Sequence, residues 1–190
     1  CMFNPGARLC LARKTLPDLK DTIYQKIKEH MHGTLTEGTD YTVNDSRATI
    51  RFSNGSEIIS RSWADKKFKK FRSLELSAAV IEELTENDNK YKEFYTELKN
   101  RVGRLQNVNE SFILSATNPD SPSHWAYDYF IEGQSDTRHV YYSVTTDNPF
   151  LPAWYKEQLE RDMDPKLALR MIHGKWVELA TDVIYYNYKK

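Results

Sequence analysis

The sequence predicts an α/β protein with a mostly parallel sheet flanked by helices. Two apolar runs each end in polar residues: Ala78-Ala79-Val80-Ile81 before Glu82-Glu83, and Phe112-Ile113-Leu114 before Ser115-Ala116-Thr117-Asn118. Helix-period segments alternate with such runs, and an Asn-Gly pair joins two β-rich stretches. Short buried strands that deliver polar groups at their C-terminal ends are how a parallel sheet builds a ligand site.

Residues 7–13 (ARLCLAR) predict a short buried strand. Residues 15–31 predict a helix, because Leu16, Leu19, Ile23, Ile27 and Met31 recur at three- and four-residue spacings and Pro17 suits a first turn. Residues 48–52 and 57–60 predict a hairpin through Ser53-Asn54-Gly55-Ser56. A basic stretch, 66–72, precedes the first of the two apolar runs. Residues 87–102 predict an amphipathic helix with Tyr91, Phe94, Tyr95, Leu98 and Val102 on one side. After the second apolar run, Pro119 and Pro122 break the chain and Ser123 can cap a short helix over 124–131. Residues 139–145 (HVYYSVT) read as a strand and 151–161 as a helix. Asp164-Pro165 reads as the N-cap and first position of a helix ending near His173, with Gly174 to stop it. Trp176-Val177 and residues 183–188 read as an extended terminal segment. With no internal repeat and no Gly/Ser linker, a single domain over 1–190 is the economical reading.

Composition excludes several classes. At 190 residues, 39% hydrophobic and 28% charged, the chain can bury a core, and its composition suggests neither disorder nor a membrane class. No apolar run approaches the roughly 18–20 residues of a spanning helix. The formal charge of 27 positive against 27 negative groups argues against bulk electrostatic grip on nucleic acid, leaving only a local patch. Cys1 and Cys10 form neither a disulfide framework nor a metal cluster, so a reducing compartment is the default. The first residue is Cys1 rather than Met. That suggests a fragment, a processed product or a cloning boundary; Cys is also the residue that intein splicing requires directly after its cut.

The carboxylate doublet has a chemical reading. A strand-end carboxylate can hold a hydrated Mg²⁺ that bridges phosphate oxygens, as a Walker B element does. A neighbouring carboxylate turned to the other side can orient and deprotonate an attacking water. The plainer alternative is that Glu82-Glu83 opens a solvated loop and Thr117-Asn118 makes an Asx-type turn before Pro119.

The chain resembles the ATPase domain of a large terminase subunit from a tailed bacteriophage. The resemblance rests on LARKTLPDLKDTIYQKIKE, IRFSNGSEII, AAVIEELTE, ILSATNPDSPSHWAYDYF, TTDNPFLPAWYKEQL and DPKLALRMIHGKW, in this order and spacing over nearly the whole chain. It implies a partial P-loop NTPase sheet with a β-hairpin insertion and a helical C-terminal part. It further implies a motor that hydrolyses ATP, with Mg²⁺, to drive double-stranded DNA into a procapsid. Implied partners are the portal protein, the small terminase subunit and further copies in a ring, in the bacterial host cytoplasm at the procapsid portal, with no membrane. By the same resemblance Glu82 contacts the metal through water, Glu83 activates the attacking water, and Thr117 and Asn118 couple the γ-phosphate state to movement. The sequence departs from the family in one respect: it contains no G-x-x-x-x-G-K-[ST] phosphate loop. Residues 1–190 therefore read as the part of the ATPase domain after that loop, without the nuclease domain that follows in the family, and unable to bind ATP well alone.

Arginines are candidates for the charge neutralisation that phosphoryl transfer needs. Arg72 stands ten residues before Glu82 and is the first choice for a residue acting across a subunit boundary; Arg13, at a strand end, could lie beside the nucleotide. Arg101 and Arg104 are further candidates, and a solvated or salt-bridged surface arginine is the alternative for each. The stretch 66–72, with four lysines and one arginine around Phe68 and Phe71, could meet DNA phosphates or be a loop edge with its phenylalanines tucked inward. His30, His32, His124, His139 and His173 lack ligand spacing. Tyr185, Tyr186 and Tyr188 read as packing residues. A non-catalytic assembly or DNA-binding module derived from the motor, and a helicase-like motor, are the competing functional readings.

Overall fold

The computed structural model describes residues 1, 3–64, 69–88, 92–105 and 108–179. They divide into two compact units, Cys1–Thr117 and Asn118–Lys190.

The first unit is built on a six-stranded sheet in the order β2-β3-β4-β1-β5-β6. Strands β1 (Arg8–Arg13), β4 (Glu57–Ser62), β5 (Ala78–Glu82) and β6 (Phe112–Ala116) are mutually parallel where they pair. Strands β2 (Tyr41–Asn44) and β3 (Thr49–Phe52) extend the sheet antiparallel beyond β4. The β3–β4 hairpin turns through Asn54-Gly55, and Gly55 takes the left-handed φ of 83° that the turn requires. β2 was not legible in the sequence, since Tyr41-Thr42-Val43-Asn44 is too short and polar to stand out without its partner β3.

Strand alternation divides the core into two sides. On one, Leu11, Ile50 and Ile58 pack with Leu19, Tyr24 and Met31 from the helical segment that follows β1. On the other face Cys10, Ala12, Ala79 and Ile81 are buried as well. Trp63, Phe71 and Phe94 are all fully buried; Trp63 stacks on Phe94 with ring centroids 4.5 Å apart, and Phe71 meets Phe94 edge-on at 5.1 Å. Phe71 thus points inward from α3 (Lys69–Arg72), while residues 66–68 lie outside the described residues.

The helix expected over 15–31 forms, but not as one regular cylinder. Thr15 caps α1 (Leu16–Leu19), accepting from the Asp18 N–H; a π-turn, Lys20–Tyr24, follows, and α2 is Gln25–His32. Thr22 is the distorted residue, at φ −114° and ψ −105°, with its hydroxyl 2.7 Å from the Asp18 carbonyl. A β-branched hydroxyl residue that bonds back to a carbonyl one turn earlier competes with the backbone ladder. The helix expected over 87–102 is shorter: a 3₁₀ turn, Leu84–Glu86, then α4 (Lys92–Lys99) carrying buried Phe94, Tyr95 and Leu98. Tyr91 lies outside the described residues. β6 is less buried than the sequence suggests, for Phe112 and Leu114 are 53% and 57% exposed. It is the edge strand, and the side chains alternating on that face have no covering layer among the described residues.

In the second unit, a π-turn segment, Tyr127–Glu132, belongs to the helix expected over 124–131. Asp164 caps α6 (Pro165–Met171) by accepting from the N–H groups of Lys166 and Leu167, and Gly174 stops it with φ 62°. α5 is Ala153–Asp162. Arg170 ties the end of α6 to Asp120 at 2.7 Å and to the Val177 carbonyl at 2.8 Å. The strand expected over 139–145 does not form: that stretch is irregular, and Tyr141 and Tyr142 are 90% and 63% exposed. Its β-branched and aromatic residues favour extended backbone, but a strand also needs a partner ladder, and none is offered there among the described residues. Residues 183–188 lie outside the described residues.

Candidate functional site

The parallel pairing of β1 with β5 decides where the site forms. Ala12 is the register partner of Ile81, so the two strands end side by side with Arg13 next to Glu82. The Arg13 Nη1 donates to Glu82 Oε2 at 3.2 Å, and its Nη2 lies 3.6 Å from Glu86 Oε1. Thr22 Oγ1 completes the cluster: it accepts from Arg13 Nη1 at 3.1 Å and stands 2.6 Å from Glu82 Oε2. A hydroxyl has one proton, so Thr22 donates either to Glu82 or to the Asp18 carbonyl, not to both at once. The π-turn is what aims it at the strand ends.

These side chains are largely withdrawn from solvent; Arg13 and Glu82 are 15% and 22% exposed. Burial opposes charge on Arg13, but the Glu82 and Glu86 carboxylates outweigh it and hold the guanidinium above its ordinary pKa. Arg13 therefore stays cationic at any physiological pH. Two groups in the cluster, Arg13 Nε and Glu86 Oε2, are buried without a hydrogen-bond partner among the described residues. Such groups cost free energy unless a ligand or water meets them.

The next residue, Glu83, ends β5 in the left-handed region at φ 51° and ψ 59°. For a residue with a Cβ this conformation costs about 1–2 kcal/mol, and such residues concentrate at functional positions. It breaks strand alternation and turns the second carboxylate out of the ladder that carries the first. One step on, the Thr85 N–H donates to Thr117 Oγ1 at 3.1 Å, and the two hydroxyls lie 2.6 Å apart. The ends of β5 and β6 are thereby tied together just beyond the acidic pair.

Of the residues singled out from the sequence, Arg13 and Glu82 are in contact, Glu83 follows directly, and Thr117 reaches the same loop through Thr85. Arg72 lies elsewhere, on α3, where it pairs with Glu97 at 3.6 Å and is 60% exposed. Asn118 is the exposed first residue of the second unit. Thr22, Glu86 and Thr85 carried no sequence signal. Thr22 was hidden inside a helical pattern and Glu86 inside an acidic run, and only the fold brings them to Arg13. Among the described residues no group of three or more His, Cys, Asp or Glu side chains could hold a metal ion.

The six-stranded, mostly parallel sheet flanked by helices, with polar groups gathered at the C-terminal ends of adjacent strands, is the α/β architecture that the sequence predicts. The sequence model of the phage terminase large subunit matches residues 1–175, and the chain belongs to that family. Its fold resembles the large terminase of a thermophilic bacteriophage, with a TM-score of 0.72 and 20% identity over 90% of this chain and 41% of that one. The same phage protein in complex with ADP matches with a TM-score of 0.71 and 21% identity, again over 90% of this chain and 41% of that one. The large terminase ATPase domain of Thermus phage P74-26 matches with a TM-score of 0.59 and 14% identity over 91% of this chain and 78% of that one. The chain thus spans about two fifths of the length of the thermophilic phage's large terminase. Curated protein sequences give no match.

Proposed function

We propose that residues 1–190 are part of the ATP-hydrolysing motor of a viral genome-packaging terminase, which moves double-stranded DNA into the procapsid. The observation that carries this reading is the junction at the strand ends. There Glu82 is held by Arg13 and Thr22, and Glu83 is forced out of the strand by a left-handed backbone. Two adjacent carboxylates in different orientations suit two tasks. Glu82 is the metal-side carboxylate, and both recorded donors take its Oε2. A carboxylate oxygen accepts more than one partner, and Mg²⁺ usually takes only one or two protein carboxylates, so this donor set fits a hydrated Mg²⁺. Glu82 would hold such an ion, which would supply charge neutralisation for phosphoryl transfer. Glu83 orients the attacking water and accepts its proton. Arg13, permanently charged and with Nε unmet, suits a phosphate oxygen or a water bridging to one. Thr117 and Asn118 link nucleotide state to movement, and exposed Arg72 acts across a subunit boundary in a ring of copies.

The phosphate loop belongs, in this reading, to a segment of the parent protein outside residues 1–190, and the chain alone is inactive. The uncovered side of β6 supports this. Phe112 and Leu114 lie on the same face of the sheet as Glu82, where a further strand and helix would bury them. The thermophilic phage's large terminase has been solved with ADP and with ATP-gamma-S, which supports nucleotide as the ligand of the intact domain. Portal protein, small terminase subunit and a location in the bacterial host at the procapsid portal follow from the same reading. The second reading, a non-catalytic assembly or DNA-binding module, is favoured by one observation: the absence of a G-x-x-x-x-G-K-[ST] motif in the chain.

Glu83→Gln in the intact parent protein separates the two. The expected result is a loss of about 10²–10⁴ in the rate of ATP hydrolysis, with binding of a non-hydrolysable ATP analogue retained. Hydrolysis within about threefold of the unaltered protein would remove Glu83 from the chemistry. If the DNA directly upstream of the Cys1 codon encodes no phosphate loop, in frame or beyond an intervening segment, the assembly-module reading stands instead.

A further inference from the structure

One side chain at the proposed hydrolytic site is placed by a backbone distortion rather than by a strand. Leu19 and Tyr24 are both buried in the core with Leu11 and Ile58. Five residues apart, they would stand about 140° around a regular α-helix, too far to share one face. The π-turn Lys20–Tyr24, with i→i+5 bonding, brings them back to the same side. The helix thereby bulges at Thr22, at φ −114° and ψ −105°. Such a conformation costs free energy and persists only where its surroundings over-determine it. Here the bulge sets Thr22 Oγ1 2.6 Å from Glu82 Oε2 and 3.1 Å from Arg13 Nη1.

We propose that Thr22 is a positioning residue, which turns the Glu82 carboxylate so that Oε1 is the oxygen offered to a hydrated divalent cation. The inference rests on the motor reading, in which Glu82 is the metal-side carboxylate. Arg13 Nη1 carries two N–H groups, one for Glu82 Oε2 at 3.2 Å and one for Thr22 Oγ1 at 3.1 Å. Thr22, having accepted that bond, gives its own proton to Glu82 Oε2, because a charged acceptor outcompetes the neutral Asp18 carbonyl 2.7 Å away. The three groups close a ring in which each hydrogen bond polarises the next. Both donors converge on Oε2, while Oε1 has no hydrogen-bond partner among the described residues and is open to solvent. The outer torsion of a glutamate is soft, so a single donor fixes where Oε2 sits but not how the carboxylate plane turns. A second donor on a different element fixes the plane as well: Arg13 reaches Glu82 from the end of β1, and Thr22 reaches it from the π-turn. Groups that orient a metal-binding carboxylate in this way set its affinity for the ion.

The test uses the intact parent protein with a non-hydrolysable ATP analogue and Mn²⁺ as a spectroscopic stand-in for Mg²⁺, free Mn²⁺ being measured by electron paramagnetic resonance. Thr22→Val keeps the branched shape and removes the hydroxyl. It should weaken Mn²⁺ binding about tenfold, the low end for loss of an orienting partner, because Arg13 remains. Thr22→Ser keeps the hydroxyl and should bind within about threefold of the unaltered protein. In ATP hydrolysis, Thr22→Val should raise the Mg²⁺ concentration for half-maximal rate by the same factor, with the rate at saturating Mg²⁺ changed less. Circular dichroism establishes that each variant is folded, and Thr22→Ala, which suits a helix better, serves in place of Thr22→Val if that variant does not fold. Mn²⁺ binding that Thr22→Val leaves intact would overturn the inference and leave the motor reading standing. Binding by Thr22→Ser as weak as by Thr22→Val would overturn it too, since the shape of the turn rather than the hydroxyl would then be responsible. An unaltered protein that binds no Mn²⁺ with the analogue, or a Glu82→Gln variant that binds it undiminished, would remove the metal-side role of Glu82 and this inference with it.

Discussion

Replacing Glu82 with alanine removes the carboxylate that joins the ends of β1 and β5, and the structure sets the size of the effect. Arg13 loses its 3.2 Å partner and keeps Glu86 at 3.6 Å and Thr22 at 3.1 Å. Breaking a fully buried ion pair costs about 3–5 kcal/mol, whereas a solvent-exposed pair contributes about 0–1 kcal/mol. With Arg13 and Glu82 at 15% and 22% exposure, and with Glu86 remaining, Glu82→Ala should cost about 2–3 kcal/mol. In a protein of this size that lowers the melting temperature by roughly 5–10 °C. Thermal denaturation followed by circular dichroism measures the shift, and hydrogen exchange at β1 and β5 amides localises it. Glu82→Gln keeps a carbonyl acceptor for both donors and should cost only about 1 kcal/mol. The double change Arg13→Met with Glu82→Leu removes both charges and should recover stability to within about 1 kcal/mol of the original. A shift below about 1 °C for Glu82→Ala, or a coupling below about 0.5 kcal/mol in the Arg13–Glu82 cycle, would refute the view that these strand ends are locked by a buried pair.

Two further predictions follow from the same elements. Burial pushes the Cys10 thiol up to about 12 from 9.0, with the Arg61 charge opposing only in part. Well below pH 9 both the folded and the unfolded thiol hold their proton; as pH rises through about 9 to 12 the unfolded chain binds fewer protons, so stability should fall by up to about 1.4 kcal/mol per pH unit. A Cys10→Ala variant whose stability has the same slope above pH 9 would contradict this. Glu83→Gly relieves a left-handed backbone worth about 1–2 kcal/mol and adds about 0.5–1 kcal/mol of unfolded-state entropy. It should therefore leave the fold unchanged or stabilise it by up to about 1 kcal/mol, and in the intact protein it should lose hydrolysis. An unfolding free energy from urea denaturation lowered by more than about 1 kcal/mol would mean that the side chain, not the turn, holds that position.

The acidic doublet, the β3–β4 hairpin, the apolar strands β1, β5 and β6 and the Asp164 cap were legible in the sequence because each is a local signal. Apolar runs, an Asn-Gly pair and an Asp-Pro pair bias backbone within a few residues and need no distant partner. The same local reasoning misjudged residues 139–145, where extended propensity met no neighbouring strand, and passed over β2, which exists because β3 lies beside it. It also could not see that Thr22 would bulge out of its helix toward Glu82, sixty residues away in the chain. Arg13 and Glu82 are 69 residues apart, and nothing in either segment encodes their meeting. The row of Arg8, Glu57 and Arg51 is likewise a product of register, for these residues come from three strands and align only after those strands pair. The sequence by itself determined strands β1, β3, β4, β5 and β6 and the polar groups that β5 and β6 deliver at their ends. Tertiary structure alone decided which of those groups face one another, because strand pairing and helix distortion are settled by long-range burial rather than by neighbours in the chain.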